Sequence, residues 1–207
     1  MLGRTGRSIT AAIFGPVAKL CVKLGISANV ITVFGTVANI SAAWLLIPNN
    51  YLITGTIIVG LLAFFDSLDG QIARLQKKEN PWGAFLDSTL DRISDGAIFA
   101  SLIAWGYLQA DEPVKIWVMS GGLAALLFAS VVPYARARAE AIGMTATVGI
   151  AERTDRLILA AICAVLVGLG LPHYILAGGL WAVAVLSFIT VIQRMVAVYR
   201  QCKELEK

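Results

Sequence analysis

Long apolar runs occupy most of this 207-residue chain and restrict it to folds that suit a lipid bilayer. The hydrocarbon core is about 30 Å thick, so a helix that crosses it needs about 20 mostly apolar residues. Only 14% of the residues are charged, against roughly 25% in an average soluble domain. Six stretches approach the required length: Asn29–Ile47, Tyr51–Arg74, Ala84–Tyr107, Pro113–Arg136, Thr154–Leu169 and Tyr174–Tyr199. We therefore predict an all-α integral membrane protein with six transmembrane helices.

The first 25 residues are interrupted by charge too often to span a bilayer. Apolar residues such as Ile9, Ile13 and Val17 recur at helical spacing among cations, which predicts an amphipathic helix on the cytoplasmic membrane surface. A cleavable signal peptide is the alternative, but no uninterrupted apolar stretch precedes a small-residue cleavage site. We expect one domain over residues 1–207, comprising this helix over 1–25, a six-helix bundle over 26–200 and a cytoplasmic tail over 201–207.

The positions of the cations predict the orientation of the chain. If both termini and the turns at 74–92 and 136–156 share one side, that side holds all of the 17 Lys and Arg residues except Lys115. The positive-inside rule then makes both termini cytoplasmic in a multi-pass protein of the cell membrane. The net charge of +4 favours anionic lipid head groups. It does not indicate nucleic-acid binding, because the cations fringe apolar spans instead of forming a soluble basic face.

Four carboxylates interrupt the apolar background between residues 66 and 91, where an ionised side chain indicates a functional site. Asp66 and Asp69 share one helix face, as do Asp87 and Asp91, and the short turn between the pairs lets them converge. Crowded carboxylates repel one another unless a cation neutralises them, and oxygen ligands favour Mg²⁺ or the similar Mn²⁺. We predict a site for two such ions, cytoplasmic in position, that polarises a diphosphate.

Two glycines and an arginine accompany these acids. Glycine costs about 1 kcal/mol relative to alanine within a helix, so Gly70 has a steric reason to follow Asp69. Gly83, one turn before Asp87, lets a ligand approach the backbone. Arg74 is suitably spaced to pair with a phosphate or with the carboxylates. Tight helix packing is the alternative explanation for the small residues.

The pattern D-x-x-D-G-x-x-A-R, eight residues, then G-x-x-x-D-x-x-x-D resembles the signature of the CDP-alcohol phosphotransferases at every fixed position. The resemblance implies a homodimeric membrane enzyme that transfers the phosphatidyl group of a CDP-linked lipid to an alcohol and releases CMP. It implies Asp66, Asp69 and Asp87 as metal ligands, with Asp91 contacting the second ion and acting as general base. It also implies a donor-lipid site formed by Asn29, Thr32, Asp69, Gly70, Arg74, Asn80 and Gly83. Ala28 stands where this family often has proline.

Arginines outside the signature bear on the acceptor alcohol. Arg136, Arg138, Arg153 and Arg156 bracket one turn, and Arg194 interrupts the last apolar run. Guanidinium groups suit phosphate oxygens, so these residues favour a phosphorylated acceptor, with ordinary membrane anchoring as the alternative. The segments DSTLDRISDGA, YARARAEA, ERTDRLI and VIQR are similar to those of actinobacterial phosphatidylinositol phosphate synthases. That likeness implies CDP-diacylglycerol as donor and inositol 1-phosphate as acceptor, bound by all five arginines, with Arg153 the weakest candidate.

Three other functions remain open at this point. Glycerol 3-phosphate is an alternative acceptor that would also use arginines. An intramembrane prenyltransferase also couples acids to magnesium and diphosphate, but with different acid spacing. A cation transporter would need acids deep in several spans, whereas these acids cluster at the ends of two.

Overall fold

The computed structural model describes residues 15–16, 20–65 and 81–205. Besides a short helical segment at residues 20–23, this part of the chain forms six helices. We number them α1 (Ala28–Leu46), α2 (Leu52–Phe65), α3 (Pro81–Gln109), α4 (Val114–Ala141), α5 (Arg153–Gly168) and α6 (Tyr174–Leu205). The all-α prediction is confirmed for the described residues.

Three of the helices, α1, α4 and α6, are long and apolar enough to cross a membrane. The apolar helix α2 has 14 described residues and ends at Phe65, the last described residue before the gap at 66–80. Helix α5 has 16 residues. Helix α3 has 29 residues but carries acids and an arginine in its first half. The protein is therefore a membrane protein, and the crossing of the bilayer by α2, α3 and α5 stays a prediction. Most of the predicted N-terminal amphipathic helix lies outside the described residues.

The chain divides into two compact units, one formed by Met1–Trp44 and Ile57–Ala97 and the other by Leu45–Thr56 and Ile98–Lys207. Helix α3 contributes residues to both. The predicted tail over 201–207 begins inside α6, because the helix continues to Leu205. A hydropathy pattern detects the apolar part of a helix and misses the polar turns that extend it into water.

In the first unit, the buried face of α1 is polar. Thr32, Thr36 and Asn39 are buried at helical spacing, and the Asn39 side-chain amide donates to the Val59 carbonyl of α2 at 3.2 Å. Large apolar side chains cover the opposite face, with Phe34 74% exposed. Apolar residues outside and hydrogen-bonded polar residues inside are the arrangement expected of a helix that faces lipid.

In the second unit, α6 packs against both α4 and α5. Gly121 of α4 lies so close to α6 that a Cβ atom there would be 2.8 Å from Cδ1 of Trp181. Small residues at such crossings let two helix backbones approach each other closely. The resulting van der Waals contact compensates for the lack of a hydrophobic driving force between helices in lipid. The α4–α6 contact therefore depends on the absence of a side chain at position 121.

Polar side chains connect the turns at one end of the second unit. Trp105 Nε1 donates to Asn50 Oδ1 at 3.0 Å, and the edge of the Trp105 ring faces the His173 ring. The His173 Nδ1 atom accepts a hydrogen bond from the Asp111 backbone N–H at 3.2 Å. His173 has no partner near it in sequence, and its role here is to join two turns.

Candidate functional site

The acidic part of the predicted site lies on α3. Asp87, Asp91 and Asp95 follow one another at intervals of four residues, so the helix puts them on one face in successive turns. All three are partly buried, and the Asp91 and Asp95 side chains are 18% and 16% exposed. The prediction that Asp87 and Asp91 share a helix face is consistent with the helix observed here.

Arg92 lies between two of these carboxylates. Its Nη2 atom is 3.4 Å from Asp91 Oδ2 and 3.7 Å from Asp95 Oδ2. At these distances and this partial exposure, the two ion pairs contribute only modestly to stability. Sequence reasoning treated Arg92 only as a cytoplasmic cation. The signal that would have identified it is its spacing of one and three residues from two acids on a helix.

Five predicted residues, Asp66, Asp69, Gly70, Arg74 and Asn80, lie outside the described residues. Within residues 20–65 and 81–205 there is no group of three or more His, Cys, Asp or Glu side chains that could hold a metal ion. Asp87 and Asp91 together supply two of the four predicted ligand residues. The convergence of all four aspartates therefore stays a prediction.

The described donor-lipid candidates belong to the first unit. Gly83 lies in the first turn of α3, one turn before Asp87. Asn29 and Thr32 lie near the start of α1, three residues apart and hence on one face. The Thr32 hydroxyl donates to the Ala28 carbonyl at 3.1 Å, and this bond orients the side chain.

The five predicted acceptor arginines belong to the second unit. Arg156 on α5 is only 4% exposed, and its Nη1 atom donates to the Ala129 carbonyl of α4 at 3.2 Å. A buried guanidinium is costly unless its N–H groups find acceptors. This bond therefore both satisfies part of the group and ties α5 to α4.

Arg194 on α6 also binds the backbone of α4. Its Nη1 atom donates to the Val132 carbonyl, and its Nε atom donates to the Val148 carbonyl at 3.0 Å. The charged groups that act on this guanidinium include Arg136 and Glu140. Arg194 thus lies within electrostatic range of another predicted acceptor arginine.

Arg136 lies on α4, four residues beyond the carbonyl that Arg194 contacts. Its Nε atom is 2.9 Å from Glu140 Oε1, and the two side chains are 53% and 55% exposed. An ion pair this exposed contributes little stability, so Arg136 can turn to another anion at small cost. Residues 129–136 of α4 therefore gather three predicted acceptor arginines: Arg136, Arg156 and Arg194.

Arg138 and Arg153 lie at the helix ends that flank the connecting loop. Arg138 is exposed in the last turn of α4, where the helix dipole favours a cation. Arg153 is the first residue of α5, whose start is held by a 2.9 Å hydrogen bond from the Glu152 backbone N–H to the Asp155 carboxylate. Because Arg153 and Arg156 are three residues apart in this helix, they share a face.

A cavity of about 440 Å³ also lies in the second unit, between residues 148–150 and α6. Its wall is mostly apolar, and Gln193 and Arg200 are its polar members. None of the five predicted acceptor arginines lines it. It adjoins the three-arginine cluster at Val148, whose carbonyl accepts a hydrogen bond from Arg194.

A family model described as CDP-alcohol phosphatidyltransferase matches residues 25–191, most of the chain. The chain belongs to the CDP-alcohol phosphatidyltransferase family. It is 40% identical over 196 residues to a phosphatidylinositol phosphate synthase of Corynebacterium glutamicum, covering 95% of this chain and 88% of that protein. A synthase of the same description from Streptomyces avermitilis is 37% identical and is matched over 99% of this chain and 85% of its own length.

Solved structures of phosphatidylinositol phosphate synthase from Mycobacterium tuberculosis share the fold of this family member. The form with CDP-DAG bound has a TM-score of 0.84 and 36% identity, covering 91% of this chain and 94% of that one. The complex with manganese and citrate has a TM-score of 0.84 and 34% identity, covering 90% and 88%. The predicted family resemblance is confirmed, and the prenyltransferase and transporter alternatives lose their support.

Proposed function

We propose that this protein transfers the phosphatidyl group of CDP-diacylglycerol to inositol 1-phosphate, giving phosphatidylinositol phosphate and CMP. Family membership supports the reaction class, and relatives described as phosphatidylinositol phosphate synthases support the acceptor. The structural observation that carries the acceptor assignment is the gathering of Arg136, Arg156 and Arg194 around one stretch of α4. Several cations at one place suit a phosphorylated alcohol better than a neutral one.

The residues on α3 fit a divalent metal. Asp87 and Asp91 offer carboxylate oxygens from adjacent turns, and such hard ligands suit Mg²⁺ or Mn²⁺. We assign Asp66, Asp69, Asp87 and Asp91 as ligands for two ions, with Mg²⁺ the expected metal and Mn²⁺ a substitute. When bound, these ions would neutralise the diphosphate and the leaving CMP. A manganese complex of the Mycobacterium tuberculosis synthase supports the divalent-metal part of this proposal.

Asp91 is the general base of the proposed reaction. It would remove the proton from the acceptor hydroxyl while the hydroxyl oxygen forms a bond to the lipid-bearing phosphorus and the bond from that phosphorus to CMP breaks. Arg92, 3.4 Å from Asp91 Oδ2, would fix the direction of this carboxylate. Arg92 is thus a positioning residue and needs no contact with substrate.

The donor lipid would be held from α1 and α3. Asn29 and Thr32 lie near the start of α1, and Gly83 lies in the first turn of α3. The resemblance adds Asp69, Gly70, Arg74 and Asn80 to this set. A relative with CDP-DAG bound supports this choice of donor.

The acceptor phosphate would be bound by the arginine cluster. Arg136 is more than half exposed and Arg194 is half-buried, so each retains N–H groups for phosphate oxygens after its present bonds. Arg156 is nearly buried and bonded to the Ala129 carbonyl, so it would contribute positive charge beneath the phosphate. Arg138 and Arg153 would add positive charge at the two ends of the loop.

The membrane arrangement is part of the same proposal. We expect six spans, an N-terminal surface helix and cytoplasmic termini, with the active site on the cytoplasmic side. A homodimer is expected from the family resemblance. Surrounding lipids would contact outward apolar side chains such as Phe34 and Leu45, which are 74% and 68% exposed.

The test is to supply the purified full-length protein with CDP-diacylglycerol and Mg²⁺ and to measure CMP release with inositol 1-phosphate or glycerol 3-phosphate. Turnover with inositol 1-phosphate, and formation of phosphatidylinositol phosphate, is the expected result. Rapid turnover with glycerol 3-phosphate and none with inositol 1-phosphate would overturn the acceptor assignment. Absence of CMP release with every alcohol tested would overturn the reaction.

A further inference from the structure

The loop between α4 and α5 depends on another helix for its hydrogen bonds. Residues 144–149 have no regular secondary structure, and backbone N–H and C=O groups outside helices and strands need other partners. Side chains of α6 supply several of them. This loop also joins the two pairs of arginines at 136 and 138 and at 153 and 156.

One residue, Thr145, is held by a single side chain at three points. Gln201 Oε1 accepts from the Thr145 backbone N–H at 2.9 Å and from the Thr145 hydroxyl at 3.1 Å. Gln201 Nε2 donates to the Thr145 carbonyl at 2.7 Å. The planar amide thus pairs with both backbone groups of one residue, as a neighbouring strand would. We name this set of contacts the Thr145–Gln201 clasp.

Two further contacts show that the loop lies along α6 in the opposite direction. Arg194 Nε binds the Val148 carbonyl at 3.0 Å, and the Thr190 hydroxyl oxygen accepts from the Ala151 N–H at 3.4 Å. From 201 to 194 the helix rises about 10 Å at about 1.5 Å per residue. An extended chain from 145 to 148 also spans about 10 Å at about 3.3 Å per residue. The two lengths match, so both contacts can hold at once.

The close approach of the loop to α6 requires glycine at position 149. A Cβ atom on Gly149 would lie 2.5 Å from Cγ2 of Thr190. Thr190 itself is fully buried, so it cannot move aside. The loop is therefore held by a steric fit at Gly149 and by the clasp nearer its α4 end.

We infer that Gln201 is a positioning residue for the acceptor site, an inference that rests on the proposed role of Arg194 and its neighbours. Without the clasp, the loop is free to lift at Thr145, and the Val148 carbonyl loses its fixed place beside Arg194. The guanidinium of Arg194 then has fewer fixed partners and a wider range of directions. Acceptor binding weakens, whereas the donor-lipid residues belong to other elements.

The test compares Gln201→Ala with Gln109→Ala in the full-length protein. Gln109 makes the same kind of bond, from Nε2 to the Pro48 carbonyl at 3.0 Å, but it tethers a different turn. For Gln201→Ala we expect the KM for inositol 1-phosphate to rise about tenfold, as the loss of a hydrogen-bonded anchor implies. The kcat and the KM for CDP-diacylglycerol should stay within about twofold of the wild-type values. Gln109→Ala should not raise the KM for inositol 1-phosphate in this selective way.

Hydrogen–deuterium exchange gives a readout that does not depend on the substrate. Amides of residues 144–149 should exchange faster in Gln201→Ala than in the wild type, and not in Gln109→Ala. Thr145→Ala keeps both backbone bonds to Gln201, so its KM for the acceptor should rise by less than about threefold. If Gln201→Ala does not fold, Gln201→Glu serves instead. Its second carboxylate oxygen would face the Thr145 carbonyl oxygen and could not donate to it. The acceptor KM should therefore rise in this variant too, while kcat and the KM for CDP-diacylglycerol stay near wild type.

Faster loop exchange with an unchanged acceptor KM would overturn the inference, as would unchanged exchange in the Gln201 variants. If the wild type uses only glycerol 3-phosphate, the proposed function fails in its acceptor. The same KM split measured with glycerol 3-phosphate would then still support Gln201 as a positioning residue.

Discussion

Replacing Arg194 with lysine keeps the positive charge on α6 but removes the geometry that reaches two carbonyls. The arginine donates from Nε to Val148 and from Nη1 to Val132, which belong to the loop and to α4. Lysine carries all its donors on one nitrogen, so it can retain one of these directions and not both. The variant therefore distinguishes the effect of the positive charge of Arg194 from the effect of its hydrogen-bonding geometry.

The magnitude follows from the bond that is lost. A hydrogen bond from a charged donor contributes about 1.5–3 kcal/mol, and each 1.4 kcal/mol corresponds to about a factor of ten. If that loss falls on acceptor binding, the KM for inositol 1-phosphate rises by about 10- to 150-fold. The KM for CDP-diacylglycerol should change by less than about twofold, because the donor site uses other residues.

The assay is CMP release by the purified enzyme at saturating CDP-diacylglycerol, with inositol 1-phosphate varied. Arg200→Lys is the matched control, since it makes the same substitution on an exposed residue of the same helix. An acceptor KM within about twofold of wild type in Arg194→Lys, or an equal rise in Arg200→Lys, would refute this reasoning.

Three further variants test other parts of the structure. Asp91→Asn should abolish CMP release while binding of CDP-diacylglycerol persists, because the amide cannot accept the hydroxyl proton. Asp111 is an exposed acid in a turn, and an equal loss of activity in Asp111→Asn would contradict the role of Asp91 as the base. Arg92→Gln should lower kcat several-fold and leave both KM values near wild type, since it removes the 3.4 Å contact to Asp91 and the 3.7 Å contact to Asp95; a raised acceptor KM would argue for direct substrate contact instead. Gly121→Val should destabilise the detergent-solubilised protein by about 1–3 kcal/mol in thermal unfolding, because the Cβ atom would meet Trp181; unchanged unfolding would show that α4 and α6 can separate freely.

Hydropathy predicted the bounds of the apolar helices well where contact with lipid alone determines the residue pattern. The predicted span Asn29–Ile47 corresponds to α1 at Ala28–Leu46. The span Pro113–Arg136 corresponds to α4, which continues to Ala141. That extension carries Arg138 and Glu140, whose charges end a hydropathy window but are compatible with a helix in water. Apolar pattern therefore locates the membrane part of a helix and not its polar end.

Helical period also accounts for the part of the site that was predictable. The shared face of Asp87 and Asp91 follows from their spacing alone, because both lie in one helix. The contacts of Arg194 and Gln201 could not be derived in this way, since they join residues 62 and 56 positions apart. Only the packing of α6 against α4 and the loop brings these groups together.

The proposed mechanism requires that Asp66, Asp69, Asp87 and Asp91 share divalent ions. Its most direct test is anomalous diffraction from crystals of this protein grown with Mn²⁺, which locates the metal independently of the protein atoms. The expected result is manganese with carboxylate oxygens of these residues at about 2.1 Å, as for a hard divalent ion of this size. Manganese bound elsewhere, or the four carboxylates directed apart with no ion between them, would rule out the shared metal site.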